Sequence, residues 1–124
     1  GELYVPDLGA DLIHRYRGAV GAYEPRSPLP TPEGTGPRHL VILQEALRDG
    51  AKTIVVSGEL GETVCRGEVS GDVVRWGSTP STRRIGTARS RSERNYPGDI
   101  KLVGPGRVLV TNRGHDTLAL IAVD

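Results

Sequence analysis

The chain has 124 residues and a formal net charge of +1. That is the size of one ordinary domain, with no whole-chain charge to drive binding to nucleic acid or a membrane surface. A quarter of it is Leu, Ile and Val, with no Phe, no Met, one Trp and four Tyr, so disorder is excluded and the core must be aliphatic. Seventeen glycines and nine prolines, spread without a short period, exclude collagen and point to a turn-rich, all-β chain.

Strands are predicted near residues 2–5 and 12–17, separated by the polar turn Pro6-Asp7-Leu8-Gly9-Ala10-Asp11. Pro25–Pro37, rich in Pro, Gly, Ser and Thr, reads as a crossover linker. Four strands follow, over His39–Leu43, Lys52–Ser57, Thr63–Val69 and Asp72–Trp76. Gln44–Asp49 is weakly helical in pattern, but Gly50 and the flanking strands favour a turn or a single helical turn. Gly77–Gly98 has no apolar periodicity and is long for a structural loop. It holds Arg83, Arg84, Arg89, Arg91 and Arg94 against one acid, Glu93, and reads as a solvated connection or as a basic lid. Asp99–Val103, Arg107–Thr111 and Thr117–Val123 complete the strands.

Three of these stretches repeat. Leu3–Ile13, Val55–Cys65 and Val108–Leu118 each run strand, polar turn, strand, and aligning Gly9, Gly61 and Gly114 spaces the copies by 52 and 53 residues. Glycine's freedom at positive φ is the expected reason for its place in all three turns. A period near 50 residues with several short strands is the size of a β-propeller blade. The fold class is therefore an all-β, partial β-propeller of about two and a half four-stranded antiparallel blades. Residues 1–37 are the end of one blade plus linker, 38–76 a complete blade, 77–98 the Arg-rich connection and 99–124 the start of the next blade. Beginning at Gly1 rather than Met, the chain reads as a processed or excised piece. Apolar edges and faces at both ends then need the remaining blades, or another copy, to cover them.

Matched turns of a propeller gather at one end of its axis, so residues about 50 apart in sequence can share one funnel. Arg38 and His39 open a strand, Glu59 sits in the second repeated turn, and Arg113 and His115 in the third. Two arginines and a carboxylate meeting there suit ester or lactone hydrolysis: the carboxylate takes a proton from water while a guanidinium stabilises the oxyanion or clamps an anionic substrate. The plainer reading has Glu59 and Arg113 hydrogen-bonding their own turns. His14 reads as an exposed strand residue, and Cys65 as a small apolar filler rather than a nucleophile. The lone cysteine allows no intrachain disulfide and fits a reducing, cytoplasmic setting. The three histidines lack metal-ligand spacing and no phosphate-cradling glycine motif opens a helix, so neither metal nor cofactor is expected. No apolar run nears the ~18 residues of a membrane span, and no signal-like N-terminus is present.

The motifs Pro6-Asp7-Leu8-Gly9-Ala10-Asp11, Gly36-Pro37-Arg38-His39-Leu40, Glu59-Leu60 and Asn112-Arg113-Gly114-His115-Asp116-Thr117 resemble, in order and rough spacing, the lactonase family of seven-bladed β-propellers. That family includes the propeller-type 6-phosphogluconolactonases and resembles the fungal 3-carboxymuconate lactonizing enzyme. The resemblance implies catalytic roles for Arg38, Glu59 and Arg113 and substrate-binding roles for His39, His115 and Asp7. The chain departs from the family pattern at Gly58, where an asparagine precedes the glutamate, and in the Arg-rich Gly77–Gly98 stretch. A family histidine upstream of Pro6 has no counterpart. The implied function is hydrolysis of a sugar-acid lactone, with a small anionic lactone as partner in carbohydrate metabolism. Two alternatives stand beside it: a non-catalytic ligand- or protein-binding propeller, and a muconate-type lactonizing cycloisomerase.

Overall fold

The computed structural model describes residues 1–43, 50–82 and 94–123, and every element in them is a strand. The first sheet comprises β1 (Glu2–Asp7), β2 (Leu12–Ala19) and β3 (Ala22–Pro30). The second holds β4 (Pro37–Leu43), β5 (Lys52–Gly58), β6 (Thr63–Ser70) and β7 (Val73–Trp76). The third holds β8 (Tyr96–Gly104), β9 (Arg107–Arg113) and β10 (Thr117–Ala122). Each sheet is antiparallel with consecutive strands adjacent, as blades of a propeller are. Among the described residues one four-stranded sheet is flanked by two three-stranded ones, an all-β partial propeller as the sequence implied.

Strand pairing fixes the equivalences between blades. Three hairpins close on the pairs Asp7↔Leu12, Gly58↔Thr63 and Asn112↔Thr117, each around a four-residue loop. This register corrects the glycine alignment: Leu60, not Gly61, is the counterpart of Gly9 and Gly114. The left-handed conformation also falls elsewhere. The fourth loop residue carries it, at Asp11 (φ 56°), Glu62 (φ 55°) and Asp116 (φ 51°), and of the three glycines only Gly114 has positive φ. Asp tolerates this region better than most L-residues; Glu62 is held there by the bonds its loop makes to Thr82 and Asn95.

Two boundaries differ from expectation. Pro25–Pro30, assigned to a linker, lies in β3 and pairs with β2. β3 is the outer edge of its sheet, where proline's missing N–H costs no ladder bond. At the other connection, β8 starts at Tyr96 rather than Asp99. Of the five arginines of the Gly77–Gly98 stretch only Arg94 is described, its guanidinium over the Tyr96 ring; the helical-turn reading of Gln44–Asp49 and the lid reading of Arg83, Arg84, Arg89 and Arg91 lie outside the described residues.

The blades stack face to face through two aliphatic clusters. Ile13 and Leu29 of the first blade meet Ile54, Val56, Cys65 and Val69, while Val55, Val64 and Leu43 meet Ile100, Val108, Val110 and Val123 of the third. Strand β5 is thus buried on both faces, which is why Ile54–Val56 is an unbroken apolar run rather than an alternation. Cys65 is fully buried here, and burial pushes its thiol up, as expected of a packing residue. The outward faces keep Leu3 and Val5 on one side and Leu118 and Leu120 on the other partly exposed.

The first two hairpin loops also tie their blades to the following connections. The backbone oxygen of Asp11 accepts from the N–H and hydroxyl of Thr31, and its carboxylate accepts from Gly34 N (2.6 Å) and Gly36 N (2.8 Å). Glu62 repeats the device: its oxygen accepts from Thr82 N and Oγ1, and its carboxylate from Asn95 N. The two connections are therefore held in matching positions, and each delivers the next blade's first strand to the same end of the stack.

Candidate functional site

Strands β4 and β8 open alike. Pro37 faces Gly58 and Pro97 faces Asn112, after which both ladders slip through a bulge at Arg38 and at Gly98-Asp99. A bulge strands one N–H and re-aims side chains. A hydroxyl satisfies the stranded group in each blade: Ser57 Oγ accepts from His39 N (3.2 Å), and Thr111 Oγ1 accepts from Asp99 N (3.0 Å). Ser57 Oγ also donates to Gly98 O (2.8 Å), joining the two inner strands.

The re-aimed Arg38 meets the hairpin loops. Glu59 and Arg113 are both first loop residues, so the register places them at equivalent points of neighbouring blades. Arg38 Nη1 donates to Glu59 Oε2 at 2.6 Å, and Arg113 Nη2 donates to Glu59 Oε1 at 2.7 Å. The Glu59 side chain is 13% exposed, against 38% for Arg38 and 51% for Arg113. Partial burial disfavours the charged form of Glu59, but the two guanidinium hydrogen bonds outweigh it and hold the carboxyl below its usual range. Three residues from three chain segments thus form one charge-assisted bridge, as the sequence reading anticipated, and the plainer reading of turn-backbone bonds does not describe them.

Two glycines beside it are tightly packed. A Cβ at Gly58 would stand within 2.9 Å of Thr35 and 2.8 Å of Thr63 Oγ1. At the equivalent position Asn112 instead donates its amide to Thr82 O (3.1 Å). A Cβ at Gly98 would press on Thr111 Oγ1 at 2.8 Å and lie 3.7 Å from Arg113 Nε.

The three expected substrate-binding residues fare differently. His39 is half-exposed at the bulge, its Nδ1 3.9 Å from Asp99 Oδ1, and Asp99 in turn pairs with Lys101 at 3.3 Å. His115 is half-buried in the β9–β10 loop and makes no side-chain hydrogen bond among the described residues. Asp7 turns back on its own hairpin: Oδ1 accepts from Ala10 N at 2.9 Å and Oδ2 lies 3.1 Å from His14 Nε2. His14 is half-exposed on its strand, as read from the sequence, but with Asp7 as partner. Asp99, Ser57 and Thr111 were missed; a lone hydroxyl closing each apolar run, at Ser57 and Thr111, was the available signal. Among the described residues no group of three or more His, Cys, Asp or Glu could hold a metal ion. No helix there is long and apolar enough to cross a membrane.

The family model for the lactonase 7-bladed β-propeller matches residues 1–124. The chain belongs to the seven-bladed β-propeller lactonase family. Three antiparallel sheets stacked through aliphatic faces are what a segment of such a lactonase propeller requires. Comparison of this lactonase-family chain with curated proteins and with solved structures gives no match.

Proposed function

We propose that the chain hydrolyses a sugar-acid lactone, in the manner of a 6-phosphogluconolactonase, at the Arg38–Glu59–Arg113 bridge. The observation carrying the reading is the two-sided contact of Glu59 with both guanidiniums. Arg113, half exposed, retains N–H donors for an incoming phosphate or carboxylate, and Arg38 for the lactone carbonyl oxygen. When an anionic substrate draws Arg113 away, Glu59 loses one partner and becomes more basic. The carboxylate then accepts a proton from water as the water oxygen attacks the carbonyl carbon. The ring C–O bond breaks, the ring oxygen takes a proton, and the hydroxy acid is released. His39, steered by Asp99, and His115 flank this centre as substrate contacts. Further blades, or a second copy, cover the apolar faces around Leu3 and Leu118.

One observation favours a non-catalytic binding propeller: two arginines lower the basicity of the resting Glu59. Steady-state kinetics separate the readings. Arg113→Gln should raise KM for a phosphorylated sugar lactone about tenfold or more while changing KM for the unphosphorylated lactone little, since only the former loses a charge-assisted contact. Equal effects on both substrates, or binding of both with no turnover by the unaltered chain, would remove the hydrolytic assignment.

A further inference from the structure

The end of the blades opposite Glu59 carries a second concentration of charge. Lys52 and Gly58 bound the same strand, so the two ends lie roughly 20 Å apart at about 3.3 Å per residue. Cross-strand pairs Glu2↔Arg17, Tyr4↔Arg15 and Arg15↔Arg26 put these side chains on the face of the first blade that packs on the second. Near the hairpin turn this interface is the aliphatic cluster of Ile13 and Leu29. Farther along it opens into a groove of about 130 Å³, lined by Arg15, Arg17, Arg26, Lys52 and Glu2, several times the space one water needs.

Arg15 is the built element. Its side chain is only 8% exposed, and it spans the blades by donating to Ser27 O (2.9 Å), Gly71 O (2.7 Å) and Asp72 Oδ1 (2.6 Å). Three of its five N–H groups are thereby used, so two remain for a ligand. Arg26 reaches the same Asp72 oxygen only at 3.5 Å, Lys52 pairs with Glu2, and Arg17 has no ion pair among the described residues. Four cations stand against three nearby carboxylates, Glu2, Asp72 and Glu24 (the cross-strand neighbour of Arg17), an excess of one positive charge. A purely structural ion-pair network would balance; this one leaves charge and donors uncommitted.

We propose that this groove between the first and second blades is a binding site for a small phosphate-bearing anion, separate from the Glu59 centre. Arg15 supplies a fixed, largely desolvated guanidinium, and Arg17 and Arg26 close on the anion from the exposed side. The site is silent in the chemistry proposed above and does not depend on it.

The probe is inorganic phosphate, with phenyl phosphate as the monoester arm, titrated at constant ionic strength against chloride and followed by NMR of backbone amides and arginine Nε–H groups. Saturable shifts are expected at Arg15, Arg17 and Gly71 with phosphate and not with chloride. Arg17→Gln/Arg26→Gln, both at exposed positions, should weaken that response about tenfold or more; Lys52→Gln is the second variant should the pair perturb folding. A larger response to phenyl phosphate than to phosphate identifies a monoester as the ligand, and the reverse identifies the free ion. Shifts confined to Arg38 and Arg113, shifts spread over all exposed cations, or an undiminished response in the variants would each overturn the proposal.

Discussion

Replacing Asp11 by Ala removes a carboxylate on which the whole β3–β4 connection hangs. Its oxygens accept from Gly34 N, Gly36 N and the Thr31 hydroxyl at 2.6–2.9 Å, and the residue sits at φ 56°. Hydrogen bonds to a charged group contribute about 1.5–3 kcal/mol each, less where water can replace them. Gly34 is exposed, so one bond counts for little. Gly36 is buried and its N–H would be left unpaired. With roughly 1 kcal/mol for placing Ala in the left-handed region, the expected loss is about 3–4 kcal/mol. Asp11→Asn keeps one acceptor and tolerates the same φ, and should lose about half as much. Urea unfolding followed by fluorescence of Trp76 reads this directly, because its indole N–H donates to Pro30 O beside the connection. Burial works against the charge of Asp11, but the N–H groups of Gly36 and Gly34 and the Thr31 hydroxyl outweigh it and lower its pKa. A lowered folded pKa means the stabilisation is complete above the unfolded value and is lost as pH falls through the folded one. The stability of the unaltered chain should therefore decline below about pH 4, and that decline should shrink in Asp11→Asn. An Asp11→Ala loss under about 0.5 kcal/mol, or equal losses for Ala and Asn, would refute the reasoning.

Gly9→Ala should be nearly neutral, since a Cβ there meets only Asp7 Oδ1 at an ordinary 3.7 Å. Gly114→Ala, at φ 101° and with its Cβ on the Arg94 carbonyl, should cost upwards of about 1 kcal/mol by thermal unfolding. Glu59 should remain ionised when free glutamates are half protonated, so its side-chain carbonyl resonance in a ¹³C titration should move only below the ordinary glutamate range. Adding a methyl at Gly98 should displace the Thr111 hydroxyl, 2.8 Å from the new Cβ, seen as a changed shift of the Asp99 N–H that it accepts from, with β8–β9 pairing retained.

The blade architecture was legible because the repeated strand–turn–strand units carry both the period and the pairing. Arg38, Glu59 and Arg113 could be foreseen as neighbours because hairpin loops of adjacent blades recur at one end. The glycine register was not legible: alignment by residue identity matched Gly61 to Gly9, whereas the hydrogen-bond ladder counts loop length and matches Leu60. Strand β3 was hidden by three prolines that an edge strand tolerates and a central strand would not. The bulge that turns Arg38 toward Glu59 leaves only a faint trace in sequence, a hydroxyl at Ser57 and another at Thr111. The bond from Ala10 N to Asp7 follows from a general preference, since a carboxylate opening a tight turn bonds its own backbone.

Turnover of a phosphorylated sugar-acid lactone by Glu59→Gln, corrected for spontaneous ring opening, tests the central claim most directly. The substitution keeps the side chain's shape but abolishes proton acceptance and weakens both arginine contacts. The account predicts kcat lower by about a hundredfold or more, the scale of general-base catalysis, with KM changed only a few-fold. Unchanged kcat would place the chemistry away from the Arg38–Glu59–Arg113 bridge and contradict the account.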